Sequence, residues 1–313
     1  MQSKTVVILG TGGTIAGTAA NAGDNLGYTA AQLGVGDLLR AVPALASVPI
    51  EGEQVAQLDS KDMSYGVWRE LALRCTHHLA RPEVAGIVIT HGTDTLEETA
   101  YFLQRLLAPA KPVVFTAAMR PATALLADGP QNLLDAVSVA RSAGASGVVV
   151  VLAGEVHSAL DVRKRHTYRL AAFGSGDAGV VAQIEEGRLR QHRPWPASQA
   201  LGMGCLPADA ADWPWVEIVT SHAEARPALV EALCRSGVRG IVAAGTGNGS
   251  LHHELEAALL AAQALGVRVL RSSRCLGGAV IETAGQLLPS AGALTPVQAR
   301  VEMILGLLES GLP

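Results

Sequence analysis

The chain has 313 residues, 49% of them apolar, with 34 glycines and only 4% aromatic residues, which suits two hydrophobic cores better than one. A formal charge of −4 without a dense Lys/Arg tract gives no electrostatic reason to expect nucleic acid or an anionic membrane, and favours a small-molecule ligand. The apolar runs, such as Val148 to Ala153, fall far short of the ~20 residues that span a bilayer, so no transmembrane helix is expected.

The first strand is Thr5 to Leu9, a buried apolar run too short for a signal peptide that leads into Gly10-Thr11-Gly12-Gly13-Thr14-Ile15-Ala16-Gly17. A cytoplasmic location is expected, or a periplasmic one if a leader was trimmed. The glycine loop invites a dinucleotide fingerprint, but Gly-x-Gly-x-x-Gly requires glycine where the chain has Ile15. No cofactor is therefore expected. The glycines still let backbone approach a ligand, with the Thr14 hydroxyl at the far side of the turn. Thr18 to Ala31 is small and polar around a single Tyr28, and reads as a mobile lid.

A helix over Val35 to Val42 and a strand over Gln54 to Leu58 come next, the strand ending in the polar cluster Asp59-Ser60-Lys61-Asp62. Val67 to Leu79 has Trp68, Leu71, Ala72 and Cys75 at helical spacing, leaving His77 and His78 as surface residues. Ile87 to Thr90 is a β-branched run that ends in His91-Gly92-Thr93-Asp94 and passes at once into a helix. Thr95 with Glu98 three residues later reads as a capping box, and Glu97 and Glu98 suit the positive end of the helix. That puts Thr93 and Asp94 at the lip where an open α/β sheet presents ligand-binding groups, although a capped turn without chemistry reads equally well from this stretch alone.

Strands at Pro112 to Thr116 and Gly147 to Leu152 alternate with a helix at Leu133 to Ala143, the pattern of βαβ units in a parallel sheet. Asp161 to His166 is basic and reads as a solvated loop. The boundary between a larger domain, 1–190, and a smaller one, 215–313, falls in the proline-bearing segment 191–214. The smaller domain repeats the βα pattern: strands at Val216 to Thr220, Gly240 to Ala244 and Val267 to Arg271, and helices at Pro227 to Ser236 and Leu251 to Leu265. A last helix starts at the capped Thr295-Pro296-Val297-Gln298. A second glycine loop, Gly245 to Ser250, carries Asn248. The fold class is thus α/β, a parallel-sheet domain followed by a smaller α/β domain.

Four cysteines, Cys75, Cys205, Cys234 and Cys275, lie far apart, and His252-His253-Glu254 lacks His-Glu-x-x-His spacing. Neither disulfide scaffold nor metal site is supported, and free buried thiols are the default. Thr14, Ser60, Thr93 with Asp94, Ala118 and Asn248 each follow a strand that ends in the same direction, so in parallel sheets they gather along carboxyl-end edges. The set supplies two hydroxyls as candidate nucleophiles and a carboxylate, but no serine with histidine in a nucleophile elbow.

Thr11-Gly12-Gly13-Thr14-Ile15-Ala16-Gly17 together with His91-Gly92-Thr93-Asp94-Thr95-Leu96-Glu97-Glu98-Thr99-Ala100 resembles the two signature motifs of bacterial L-asparaginases. The likeness runs on through Gly52-Glu53-Gln54-Val55, Ala118-Met119-Arg120-Pro121, Ala127-Asp128-Gly129-Pro130, Gly247-Asn248-Gly249 and Arg271-Ser272-Ser273-Arg274, and is nearest to the type II branch. The resemblance implies hydrolysis of the side-chain amide of L-asparagine to L-aspartate and ammonia by a threonine, without metal or cofactor. Related readings are a broader glutaminase-asparaginase, an amidotransferase subunit, and a non-catalytic amino-acid sensor.

By the same resemblance Thr14 attacks the amide carbon, with Tyr28 of the lid assisting its deprotonation. Thr93, Asp94 and Lys164 form a second group that handles protons. Between Thr14 and Thr93 the first nucleophile stays open at this point. Substrate-binding groups carried over in this way are Gly13, Ser60 with the adjoining Lys61, Thr93, Asp94, Ala118, Glu282 and, from a neighbouring copy, Asn248. The family also implies a homotetramer built from intimate dimers. Lys61 departs from the family, which commonly has glutamine or glutamate there, and a cation beside a substrate amine would be unfavourable unless it swings out. Glu282 is the candidate acidic partner of Tyr28.

Overall fold

The computed structural model describes residues 4–311. Contacts divide it into two compact units, parted between Met203 and Gly204. In the first, the strands are β1 (Thr5–Gly12), β2 (Ile50–Leu58), β3 (Val84–Thr90), β4 (Val113–Thr116), β5 (Val148–Leu152), β6 (Glu155–Ser158), β7 (Arg163–Lys164), β8 (Phe173–Gly174), β9 (Ala182–Glu185) and β10 (Arg188–Gln191). Its helices are α1 (Val35–Arg40), α2 (Tyr65–Leu79), α3 (Leu96–Leu107) and α4 (Gly129–Ala140).

Eight strands form one sheet in the order β10-β9-β6-β5-β4-β3-β1-β2, and β7 pairs with β8 as a separate two-stranded ribbon. β1 to β5 run parallel, with β1 flanked by β2 and β3. β3, β4 and β5 are buried almost throughout, as expected of parallel strands covered on both faces, which carry Val/Ile runs rather than alternation. Val6 and Ile8 of β1 pack with Val88, Val114, Val149 and, from α4, Leu133 and Val137. On α3, Phe102 is fully buried and stacks on Trp68 of α2 at 4.8 Å between centroids. Trp68 donates Nε1–H to Thr99 Oγ1 at 2.9 Å, so the indole's polar edge is satisfied inside the apolar layer.

The sheet is mixed: to the expected parallel strands it adds an antiparallel edge, β6, β9 and β10. Leu152 of β5 pairs with Glu155 of β6 across Ala153-Gly154, both at positive φ (50° and 76°). A two-residue loop with that twist can only return the chain antiparallel. Glu186-Gly187 repeats the device between β9 and β10. Ala-Gly and Glu-Gly are weaker hairpin signals than Asn-Gly, so the sequence conveys the parallel strands and not these returns.

The second unit holds β11 (Val216–Thr220), α5 (Ala228–Arg235), β12 (Gly240–Gly245), α6 (His253–Ala264), β13 (Arg268–Ser273) and α7 (Pro296–Glu309). Its three strands are parallel in the order β11-β12-β13, over a core of Val219, Ile241, Ala243, Leu255, Leu259 and Val269. The Thr295–Gln298 capping box is formed in both directions at 3.2 Å. Among the described residues no helix is long and apolar enough to cross a membrane.

Three local expectations are corrected. His78 is buried, its Nε2 2.8 Å from Glu53 Oε2, because the end of α2 packs against β2. Arg163, expected in a solvated loop, is buried in β7. Of the four thiols, only Cys75 is fully buried, and burial pushes its pKa up to about 12.

Candidate active site

Parallel pairing aligns the carboxyl ends of neighbouring strands: Gly10 of β1 lies opposite Gln54 of β2 and Thr90 of β3. The loops that follow then touch through glycines. Gly13 sits at φ 79°, and a Cβ added to it would lie 2.4 Å from the Cα and N of Gly92. A Cβ on Gly92 would in turn lie 2.4 Å from Ser60 Oγ. Only glycine permits this approach, and it brings the Thr14, Ser60 and Thr93 loops of β1, β2 and β3 together. The Gly13 N–H donates to Leu58 O at 3.0 Å, which fixes the first loop against the end of β2.

Thr14 follows in a short 3₁₀ turn and is 8% exposed. Its hydroxyl shares a 2.7 Å hydrogen bond with Tyr28 Oη. The segment carrying Tyr28 is held over the turn by paired hydrogen bonds between Thr18 and Thr29, 2.9 Å each. At its tip the Asp24 carboxylate accepts the Leu26 and Gly27 N–H groups, and these bonds hold its pKa below the usual carboxylate range. Lid and nucleophile candidate are thus in contact.

Thr93 is 6% exposed. Lys164 Nζ donates to Thr93 Oγ1 at 2.9 Å and to Asp94 Oδ1 at 2.7 Å, although the residues lie about seventy positions apart in sequence. The Asp94 side chain is half exposed, so this ion pair adds little to stability; its consequence is orientation. The Asp94 N–H donates to Ser60 Oγ at 3.1 Å. Thr95 caps nothing: its hydroxyl donates to Ser60 O at 2.7 Å, and α3 begins without a side-chain cap. The expected Thr95–Glu98 box is replaced by a tie between the β2 and β3 loops.

Behind this turn His91 is fully buried, its Nδ1 2.7 Å from Gly92 O, while Nε2 has no hydrogen-bond partner. Burial pushes its pKa down to about 4, partly offset by the Gly92 carbonyl. The ring is therefore neutral at pH 7, with Nδ1–H donating.

Ala118 is fully buried in the loop after β4, which is braced by residues, among them Asp128 and Arg120 of the quoted motifs, to which the sequence alone gives no such role. The Asp128 carboxylate accepts the N–H groups of Met119 and Arg120 at 2.9 Å instead of capping α4. Asn132 Nδ2 donates to Ala117 O at 2.9 Å. Arg120 lies 4.0 Å above the Tyr168 ring and donates to Tyr168 O, so it clasps the Lys164-bearing segment to the Ala118 loop. The one sequence signal for these braces was an aspartate ahead of Gly-Pro.

Lys61 is 63% exposed and pairs with Asp59 at 2.5 Å; that bond, with the charges of Asp59, Asp62 and Asp94, raises its pKa. In the smaller unit, Asn248 donates to Ile281 O at 2.9 Å and accepts the Ile281 N–H at 2.7 Å. Glu282 accepts the Ser290 N–H at 3.2 Å. Among the described residues no group of three or more His, Cys, Asp or Glu could hold a metal ion.

Comparison with known proteins matches residues 5–197 to the family model "Asparaginase, N-terminal" and 215–311 to "Glutaminase/Asparaginase C-terminal domain". L-asparaginase 2 of Escherichia coli is 38% identical over 319 residues, covering 98% of this chain and 90% of that protein. Glutaminase-asparaginase of Pseudomonas fluorescens is 38% identical over 285 residues, 90% of this chain and 78% of that one. A crystal structure titled as a probable cytoplasmic L-asparaginase from Campylobacter jejuni superposes with a TM-score of 0.91 at 36% identity, covering 98% and 95% of the two chains. Fold and likeness together define an amide hydrolase of the α/β class. The chain belongs to the L-asparaginase family.

Proposed function

We propose that this protein hydrolyses the side-chain amide of L-asparagine to L-aspartate and ammonia, with Thr14 as nucleophile. The observation that carries the reading is the pair of hydroxyl arrangements on touching loops: Thr14 bonded to Tyr28, and Thr93 bonded to Lys164. A threonine hydroxyl is a weak nucleophile at neutral pH and needs a proton route. Tyr28 provides one for Thr14, relaying the proton rather than keeping it, since a phenol hydroxyl that accepts a proton must pass its own on.

A hydroxyl has one proton to give and two lone pairs. Because Lys164 Nζ donates to Thr93, one lone pair of Thr93 is engaged and its own proton is left for another acceptor. Thr93 thereby becomes the proton source for the departing nitrogen, which leaves as ammonia when the Thr14 ester forms. Lys164 Nζ reprotonates Thr93, and the proton that Tyr28 takes from Thr14 passes to solvent, from which it returns when the ester is cleaved. In the second half, water adds to the ester and its proton returns through Thr93, releasing aspartate and Thr14. Removing Thr93 or Lys164 from such a relay costs about 10²–10⁴ in rate. Backbone near Ala118 serves the developing oxyanion.

Ser60 Oγ accepts from Asp94 N–H and keeps its proton for a substrate carboxylate. Asp94, partly exposed, takes the substrate ammonium, a choice favoured by the pairing of Lys61 with Asp59. We further propose a homotetramer in which a neighbouring copy adds Asn248, with Glu282 orienting Tyr28.

Ammonia release, measured with asparagine and with glutamine as separate substrates, tests the reading. One extra methylene is worth about 10–200-fold in a fitted pocket, and kcat/KM is expected to favour asparagine within that range. Thr14→Ala is expected to abolish release while remaining folded. Binding without ammonia would mark a sensor, equal rates would mark a glutaminase-asparaginase, and wild-type turnover by folded Thr14→Ala would sink the assignment.

A further inference from the structure

Glu97 stands apart from the chemistry just described, yet it contacts the residue on which that chemistry turns. It is the second residue of α3, and its Oε2 accepts the backbone N–H of Lys164 at 3.3 Å. Lys164 itself lies in β7, only two residues long, paired with the equally short β8. A lysine side chain has four rotatable bonds, so where its ammonium sits depends on how both of its ends are held. The head is held by Thr93 and Asp94. The backbone end is held by Glu97, three residues further along the same turn and helix.

We propose that Glu97 is a positioning residue for Lys164, fixing its backbone so that one short segment, 93–97, grips the lysine at both ends. The proposal rests on the proton-handling role given to Lys164 above.

The position is a costly one for a carboxyl. Partial burial, with the neighbouring charge of Glu98, pushes the Glu97 pKa up to about 7, against the opposing effects of its bond to the Lys164 N–H and of the Arg163 and Lys164 charges. An apolar side chain would fill the space at lower cost, so stability alone gives no reason for a hydrogen-bond acceptor here. The contact with Lys164 supplies one.

Glu97→Leu removes the acceptor and keeps the bulk, while Glu97→Gln keeps a carbonyl acceptor. Both are to be assayed with asparagine for kcat, KM and Tm, in the wild-type and Lys164→Met backgrounds. Displacing a catalytic group by about 1 Å costs on the order of 10²-fold, and Glu97→Leu is expected to lose kcat on that scale with KM held and Tm not lowered. Glu97→Gln is expected to recover most of it. In the Lys164→Met background Glu97→Leu adds no further loss, since the group it positions is gone. Glu97→Met, more adaptable in packing, serves if the leucine variant does not fold.

Wild-type kcat in Glu97→Leu, or an equal loss in both backgrounds, overturns the proposal while leaving the role of Lys164 standing. Wild-type kcat in Lys164→Met overturns that role first, and this inference with it.

Discussion

The two glycine loops, Gly10 to Gly17 after β1 and Gly245 to Ser250 after β12, look alike in sequence and differ in what their glycines do. In the first, Gly12 and Gly13 have positive φ and sit against other segments: a Cβ on Gly12 would lie 2.6 Å from Leu58 O, and one on Gly13 2.4 Å from Gly92. In the second, the chain folds on itself. A Cβ on Gly245 would meet Gly249 at 2.5 Å, while Gly247, at φ 49°, has nothing within 4 Å of the same point. Thr246 and Ser250 close the second loop through reciprocal backbone bonds, and Asn248 is engaged with Ile281. One loop uses glycine to bring three strand ends into contact; the other uses it to turn.

That contrast sets the order of expected effects. Gly13→Ala breaks both requirements, a left-handed φ and a backbone contact, and is expected to cost 3 kcal/mol or more, about the size of an overpacked and strained site. Activity is expected to fall further than stability, because Gly92 and the Thr93 turn must give way. Thermal unfolding and kcat, measured on one preparation, check this; a folded, fully active Gly13→Ala protein would break the comparison. Gly247→Ala meets open space and pays only for its φ, about 1 kcal/mol, with kcat unchanged.

Between these lies an effect of pH. His91 is fully buried with its pKa held near 4, below the unfolded value near 6.5. Its contribution is fully present above pH 6.5 and is lost as pH falls toward 4, when the unfolded chain takes up a proton the folded one refuses. A shift of that size corresponds to on the order of 3 kcal/mol. Glu97 has the opposite sign: its pKa is raised to about 7, so its cost to stability is absent below about pH 4.5 and grows as pH rises through 7. Glu97→Gln is therefore expected to gain Tm at pH 8 and to match wild type at pH 4.5. An equal gain at both values would contradict the assignment.

The same contrast explains what the sequence could convey. Strand ends, glycine turns and the Thr295–Gln298 cap are local, and β1, β11 and α7 follow from them within a few residues. The Thr95–Glu98 pattern was as good a local signal as the Thr295 one, yet Thr95 bonds to Ser60 O instead, because a residue from the β2 loop competes for its hydroxyl. Lys164 read as part of a solvated basic stretch until family likeness singled it out: its place depends on a two-residue ribbon and on partners about seventy positions away. Asp128 and Asn132 brace the Ala118 loop by bonds that no spacing rule encodes. Local chemistry wrote the elements, and long-range pairing wrote the bracing of the site.

The central claim is that Thr14 and Thr93, on loops joined through Gly13 and Gly92, act on a single carbonyl. The kcat of Thr14→Ala, Thr93→Val and the double variant, each shown to be folded, tests it most directly, because groups that work as a unit lose activity non-additively. The account predicts a large loss in each single variant and a double variant no worse than the poorer single one. Losses that multiply, or a Thr93→Val protein with wild-type kcat, would contradict it.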